Sequence, residues 1–220
     1  MASWGFEPDV CPAGSVFPSV SGIILAGGKG RFMFGEVKAL WPIGGETMLE
    51  RQIRLMRPWC REIVVATDTP RLFLPIVPRD VRIVTDYAPG RGPIGGMAAG
   101  LSLAQSRYAW IVDSGMPDPS AAAARVLLAR CAAGGWDAAW PSDAGGPYPL
   151  HGVYDCACAG KIVRMAEQGT AGLSDLPNRL AWAEVTETEF AQMGIGFRFT
   201  RSARSPCDLL HSGHAAGELI

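Results

Sequence analysis

The segment Leu25-Ala26-Gly27-Gly28-Lys29-Gly30-Arg31 sets three glycines and two cations directly after a short apolar run, Gly22 to Ala26. Glycine tolerates positive φ and lets backbone N–H groups approach an anion, so a turn of this composition can cradle nucleotide phosphates or the edge of a base. The same residues also suit a plain tight turn. Their spacing matches neither a P-loop, which needs G-x-x-x-x-G-K-[ST], nor the G-x-G-x-x-G dinucleotide fingerprint. Without that fingerprint, and with no acidic residue closing a second strand at the required distance, the dehydrogenase reading falls away. Ten residues past Gly28, Lys38 stands before Ala39-Leu40-Trp41-Pro42-Ile43. Its ammonium is a compact charge suited to neutralising phosphate oxygens as charge builds in phosphoryl transfer; an ordinary solvated lysine is the plainer alternative. The combination with Gly92-Pro93-Ile94-Gly95-Gly96 and Gly100-Leu101 shifts the balance toward chemistry.

These residues need a frame. Gly22 to Ala26 reads as a strand buried on both faces that ends in the glycine turn. Met48, Leu49, Ile53 and Met56 recur at helical spacing until Pro58 stops the pattern. Further strands are expected at Glu62 to Thr67, Val81 to Thr85, Tyr108 to Asp113, Trp136 to Trp140 and Leu150 to Tyr154. Helices are expected from Met97 to Ala104 and from Ser120 to Cys131, with Ser120 as the cap of the second. The alternation predicts an α/β fold, a mostly parallel sheet with helices on both faces and ligands outside the carboxyl ends of its strands. Residues 1–20 read as a tail or arm, 21–199 as the single domain and 200–220 as a loose C-terminal tail. Trp110, Trp136 and Trp140, in strand-like segments, read as core rather than stacking platforms.

Composition narrows the partners. The 220 residues are 48% hydrophobic and 19% charged, enough apolar surface for a real core and too little charge for a disordered chain. A formal charge of −1 gives no electrostatic footprint for nucleic acid or anionic lipid. The longest uncharged stretch, Cys11 to Gly28, is too broken by Pro and Gly for a membrane span, and the acidic Glu7 and Asp9 argue against a signal peptide. The expected setting is the cytoplasm, with no nucleic acid or membrane partner. Six cysteines and three histidines show no zinc spacing, so the cysteines read as reduced thiols.

Several motifs now join: L-A-G-G at 25–28, K-A-L at 38–40, I-G-G-E-T-M-L at 43–49, Asp86, G-P-I-G-G at 92–96, Met116-Pro117, and Pro149-Leu150-His151-Gly152-Val153-Tyr154. With them the chain resembles the molybdenum cofactor guanylyltransferase family, within the nucleotidyltransferases that share the L-A-G-G turn, over about Ser21 to Phe190. The resemblance implies a Rossmann-like three-layer sandwich of the nucleotide-diphospho-sugar transferase type. It implies transfer of GMP from GTP to the terminal phosphate of molybdopterin, with Mg²⁺ or Mn²⁺, and with molybdoenzymes or other cofactor-pathway proteins as partners. Carried over residue by residue, Leu25, Ala26, Gly27 and Gly28 would contact guanine and phosphates, Lys38 would bind phosphate, Asp86 would lie at the nucleotide, and Gly92 and Pro93 would shape the closing loop. The alternatives are a cytidylyl- or sugar-phosphate nucleotidyltransferase, or a catalytically degenerate binding or carrier module.

The pattern departs from the family at chosen places. Gly30-Arg31-Phe32 shifts the arginine that follows the glycine turn one residue early. Gly115 stands where the family places its metal-binding aspartate before Met-Pro. Asp113, two residues upstream, becomes the expected catalytic and metal-binding carboxylate if Ser114-Gly115 forms a bulge at the strand end; Asp118 is the poorer candidate. Where the family carries asparagines near the end of a strand, this chain has Phe190 to Gly194, leaving Gln192 as the polar substitute. Asp175, Asn178 and Arg179 lie in the region of the family's acceptor contacts. Arg198, Arg201 and Arg204 read either as holding a pterin phosphate or as a solvated tail.

Overall fold

A computed structural model describes residues 19–27, 32–33, 36–169 and 172–209. In chain order the main elements are β1 (Val20–Leu25), α1 (Met48–Met56), β2 (Glu62–Thr67), β3 (Arg82–Thr85), α2 (Pro93–Leu103), β4 (Tyr108–Asp113) and α3 (Ala121–Gly134). They continue with β5 (Ala138–Asp143), β6 (Gly146–Pro147), β7 (His151–Asp155), α4 (Ala159–Gln168), β8 (Trp182–Thr186) and α5 (Glu187–Gln192). Local signals set the helix ends. Thr47 and Glu50 form a reciprocal capping box at α1, with Glu50 N donating to Thr47 Oγ1 at 3.2 Å and Thr47 N to Glu50 Oε2 at 2.8 Å. Ser120 caps α3 by accepting from Ala123 N. Helix α2 begins four residues earlier than the sequence reading, because Pro93 occupies its first position after Gly92 at φ +60° and ψ −149°, a backbone region open to little but glycine.

Strands β1 to β4 are parallel, in spatial order β3-β2-β1-β4. β7 then pairs antiparallel to β4 and to β5, and β8 lies parallel along the other side of β5, while β6 closes a hairpin on the far end of β5. Alternate residues feed two cores, as the period-two geometry of a strand demands. Val20, Ile24, Val65, Trp110 and Val112 pack with Leu49, Ile53 and Leu127 of α1 and α3; Ile23, Leu25, Val64 and Ile111 pack with Ile94, Met97 and Met165 of α2 and α4. The result is the expected three-layer sandwich. The chain runs outward from β1 to β3 and then crosses to β4 on the opposite side of β1. The crevice between the carboxyl ends of β1 and β4 is therefore the topological switch point, where such sheets bind ligands.

Three sequence readings change. β8 was not anticipated: its short alternation, with Ala183 and Val185 buried, is the pattern of an edge strand, and partnering with β5 makes it regular. Residues 200–209 are not a loose tail. Phe197 and Phe199 pack tilted and edge-on against Phe190, Ala203 N donates to Gly115 O at 2.8 Å, and buried Ala203 and Leu209 join Trp41, Ile43 and Met48 in a small core; residues 210–220 lie outside the described residues. Trp110 and Trp140 are core as expected, whereas Trp136 precedes β5 and is 39% exposed. Burial pushes the Cys60, Cys131, Cys156 and Cys158 thiols up to about 12, which keeps them protonated at neutral pH. Among the described residues no helix is long and apolar enough to cross a membrane.

His151, the first residue of β7, is fully buried between Trp110 and Phe199, and its Nε2 accepts from Ser120 N at 3.1 Å. Burial pushes its pKa from 6.5 down to about 3. Between those values the unfolded chain binds a proton that the folded chain excludes, so this contribution is intact above about pH 6.5 and is lost as pH falls toward 3. Urea unfolding is expected to show wild-type stability falling by about 2 kcal/mol more than that of His151→Gln between pH 7 and pH 5. Parallel pH profiles for the two proteins would show that His151 is not the source.

Candidate active site

Asp113 ends β4 opposite Leu25 of β1, and the pairing runs from Val20↔Tyr108 to Leu25↔Asp113 without an inserted residue. The expected bulge is therefore absent. Instead the chain turns tightly over Asp113-Ser114-Gly115-Met116, with Met116 N donating to Asp113 O at 3.0 Å and Gly115 N to Asp113 Oδ2 at 3.0 Å. A turn placed after the ladder, rather than a bulge within it, keeps the register and leaves the carboxylate at the sheet's edge. Gln52, fully buried on α1, ties this turn down: its Nε2 donates to Asp113 O at 2.8 Å and to Met116 O at 2.7 Å. Nothing in the sequence marked it, since a glutamine within an apolar stripe looks like a helix surface residue.

Three groups meet at Gly115. A β-carbon built there would lie 2.7 Å from Asp113 Oδ2, 2.5 Å from Ser202 Oγ and 3.7 Å from Lys38 Cδ. A side chain at 115 would have to displace the Asp113 and Ser202 side chains, and the Asp113 carboxylate fills the space where it would begin. Ser202 Oγ is 3.4 Å from the same Oδ2, a contact that sequence reading missed because Ser202 lay in the supposed tail. Lys38 enters from a single helical turn, Lys38–Leu40, anchored by buried Ala39. Burial raises the Asp113 carboxyl above its ordinary range, while the Gly115 N–H, the Lys38 charge and the Ser202 hydroxyl pull it back down. Lys38 and Asp113 thus converge, as the sequence required.

The other wall is built by glycines. Ala26 N donates to Ala66 O at 2.8 Å, and Gly27 then passes so close to Asp86 that a β-carbon would lie 2.9 Å from Asp86 Oδ2. Gly96, in α2, approaches the same carboxylate from the other side, 3.3 Å from Oδ1 by the same measure. Leu25 to Gly27, Asp86 and the G-P-I-G-G segment, distant in sequence, therefore form one wall beside β1. Leu25 and Ala26 are buried in its base, and Gly92 and Pro93 open α2 above Asp86. Gly28 lies outside the described residues, as do Lys29, Gly30 and Arg31. Thr67, at the end of β2, is buried with its hydroxyl donating to Ala26 O at 3.3 Å, and so supports the turn from below.

From Asp113 a cleft of about 840 Å³ extends away from the glycine wall, lined by Asp143, Tyr148, Glu187, Arg198 and Arg201 among others. Of these only the arginines had been singled out. Other expectations move elsewhere. Gln192 ends a helix rather than a strand and is exposed, away from the cleft lining. Asp118 is paired with Arg51 at 2.8 Å, which occupies the carboxylate. Arg179 lines a separate pocket with Lys161 and Arg164, and Asp175 accepts from Gly172 N at 2.7 Å. Among the described residues no group of three or more His, Cys, Asp or Glu is arranged as a metal cage. One carboxylate suffices for Mg²⁺, which is held by one or two carboxylates together with substrate phosphates and waters. Asp113 fits that demand: it lines the cleft, and its Oδ1 accepts no hydrogen bond among the described residues.

A mixed sheet with its switch point between β1 and β4, a glycine wall on one side and a lysine–aspartate pair on the other, defines a nucleotidyltransferase. The chain belongs to the MobA-like NTP transferase domain family, whose model matches residues 22–183. It is 34% identical to a probable molybdenum cofactor guanylyltransferase of Chloroflexus aggregans over 175 residues, covering 75% of this chain and 79% of the relative. Among solved structures, molybdopterin-guanine dinucleotide biosynthesis protein A from Archaeoglobus fulgidus superposes with a TM-score of 0.75 at 20% identity, covering 88% of this chain and 96% of that one. A manganese complex of a Mycobacterium tuberculosis protein shares the fold at 14% identity and a TM-score of 0.55, covering 76% and 88%.

Replacing Gln52 by leucine leaves the Met116 carbonyl without its donor in a buried site and the Asp113 carbonyl with Met116 N alone. The variant is expected to lose about 2 kcal/mol in urea unfolding and to exchange the Gly115 and Met116 amides faster. Unchanged exchange at both amides would show that the turn is held by other contacts.

Proposed function

We propose that this chain transfers GMP from GTP to the terminal phosphate of molybdopterin in the cytoplasm, releasing pyrophosphate, with Mg²⁺ or Mn²⁺ held by Asp113. One observation carries the reading: the Asp113 carboxylate occupies the space that a side chain at Gly115 would need, beside the Lys38 stem. The carboxylate that the family places at position 115 is supplied from 113, so the substitution at 115 is compensated within the same turn. The names carried by the relatives support the choice of nucleotide and acceptor.

In this reading the turn from Leu25 to Gly28 binds the guanine and phosphates, with Asp86 at the nucleotide and Gly92 and Pro93 shaping the loop above it. An oxygen of the acceptor phosphate attacks the α-phosphorus of GTP in line. The new P–O bond forms as the bond to the bridging oxygen of the leaving pyrophosphate breaks. Lys38 offsets the charge of the phosphates, which otherwise repel the anionic acceptor. Asp113 would hold a divalent ion whose chemistry, when bound, is to neutralise the phosphate oxygens as charge moves onto the leaving group. Ser202 and Gly115 N–H orient the carboxylate, and Gln52 fixes the turn that carries it.

Lys38→Ala and Asp113→Ala are each expected to lower metal-dependent pyrophosphate release from GTP by at least about 100-fold, roughly 2.7 kcal/mol of transition-state stabilisation. A panel of GTP, CTP and ATP checks the base. Turnover unchanged in both variants would contradict the assignment, and tight GTP binding without any turnover by the wild type would favour a carrier module.

A further inference from the structure

We infer that the cleft beyond Asp113 is an acceptor site divided by charge, in which Arg198 and Arg201 take the acceptor's phosphate and Glu187 takes the hydrogen-bond donor edge of its aminopyrimidinone ring. The inference rests on the function proposed above and assigns residues to the half of the site that the nucleotide does not fill. The cleft, about 840 Å³, is far larger than one phosphate group needs and falls within the range of small-molecule sites.

Its two ends differ in chemistry. At the end near the reacting groups, Arg201 precedes Ser202, whose hydroxyl is 3.4 Å from Asp113 Oδ2, and Arg198 lies one turn earlier on Phe197–Thr200. Among the described residues neither guanidinium forms an ion pair, so both forks are available to a phosphate. The backbone carrying them is fixed, because Phe197 and Phe199 pack tilted and edge-on against Phe190, and the Phe199 ring centroid is 4.5 Å from that of His151. A segment held that firmly places its arginines without a large ordering cost.

Glu187, the first residue of α5, also lines the cleft and borders a neighbouring pocket that neither arginine lines, and its side chain takes no hydrogen bond among the described residues. A carboxylate offers two acceptors side by side, which match the ring N–H and exocyclic NH₂ of an aminopyrimidinone. Asp143 lines the same wall but is already engaged, accepting from Tyr148 Oη and from Gly145 N, each at 2.7 Å. Its part is to hold the Tyr148 ring at the cleft, where Tyr148 meets Phe197 edge to face at 5.7 Å. A ligand with a phosphate at one end and a guanidine-like heterocycle at the other therefore has one orientation that meets both charges. That orientation points the phosphate toward Asp113.

The test uses the full chain and the intrinsic fluorescence of two probes, 6-hydroxymethylpterin and its monophosphate, with GTP affinity measured in parallel by calorimetry. Wild type is expected to bind the monophosphate at least tenfold more tightly than the alcohol. In Arg198→Ala/Arg201→Ala that preference disappears, whereas Glu187→Gln weakens both probes by about the same factor, at least fivefold. GTP affinity stays within twofold in every variant. All substituted side chains are exposed, so an unchanged thermal midpoint is expected and confirms folding. The inference is overturned if the arginine double variant keeps the phosphate preference, if Glu187→Gln binds both probes as wild type does, or if wild type binds GTP but neither probe. Wild type that binds the probes as stated but not GTP would support this subsite while overturning the nucleotide reading.

Discussion

A carboxylate withdrawn from water resists ionisation unless donors and positive charge compensate it. Asp113 is in that position at the end of the fourth strand, and the surrounding architecture follows from the need to hold it there. The Gly115 N–H and the Ser202 hydroxyl reach Oδ2, and the Lys38 ammonium lies near enough to favour the charged form. Burial still dominates, leaving the group raised. A bound divalent ion would complete what these partners begin, because its charge is the largest that such a site can bring to bear. With glycine at 115, the Asp113 carboxylate and Ser202 occupy the room a side chain there would use.

The sheet supplies precision at small cost. Parallel pairing of β1 with both β2 and β4 brings the end of β1 between Ala66 and Asp113, so the glycine turn emerges with Asp86 on one flank and the aspartate turn on the other. Helices contribute through their buried faces: α1 offers Leu49 and Ile53 to the core and Gln52 to the backbone of the Asp113 turn. The C-terminal segment closes the arrangement. Its Ala203 N–H bonds Gly115 O while Leu209 seals a small core around Trp41, which in turn follows Lys38 in the chain. Lysine, aspartate turn and C-terminal segment are thus mechanically one unit.

What the sequence disclosed and what it hid divide along physical lines. Strands buried on both faces, such as Glu62–Thr67 and Tyr108–Asp113, were legible because continuous apolar runs admit few other readings. The glycine turn, Lys38 and the G-P-I-G-G segment were legible because glycine and lysine at close range restrict the chemistry. The shape of the Asp113 turn was not, since whether two extra residues make a bulge or a turn depends on the partner strand's register, which no local pattern states. Gln52 and Ser202 were hidden for a related reason: each acts through tertiary contact with a residue far away in sequence. The arginines at 198 and 201 were visible but ambiguous, and only the packing of Phe197 and Phe199 shows that they stand on fixed backbone.

The claim on which the rest depends is that one carboxylate, Asp113, replaces the one missing at position 115. A crystal structure with GTP and Mn²⁺ in place of Mg²⁺, read through the anomalous signal of manganese, tests it directly. The account predicts a single strong peak in contact with an Asp113 oxygen and with the nucleotide phosphates, and Lys38 directed at the same phosphates. A peak held by Asp86 or Asp118 with Asp113 left unligated, or a nucleotide bound away from the crevice between β1 and β4, would contradict it.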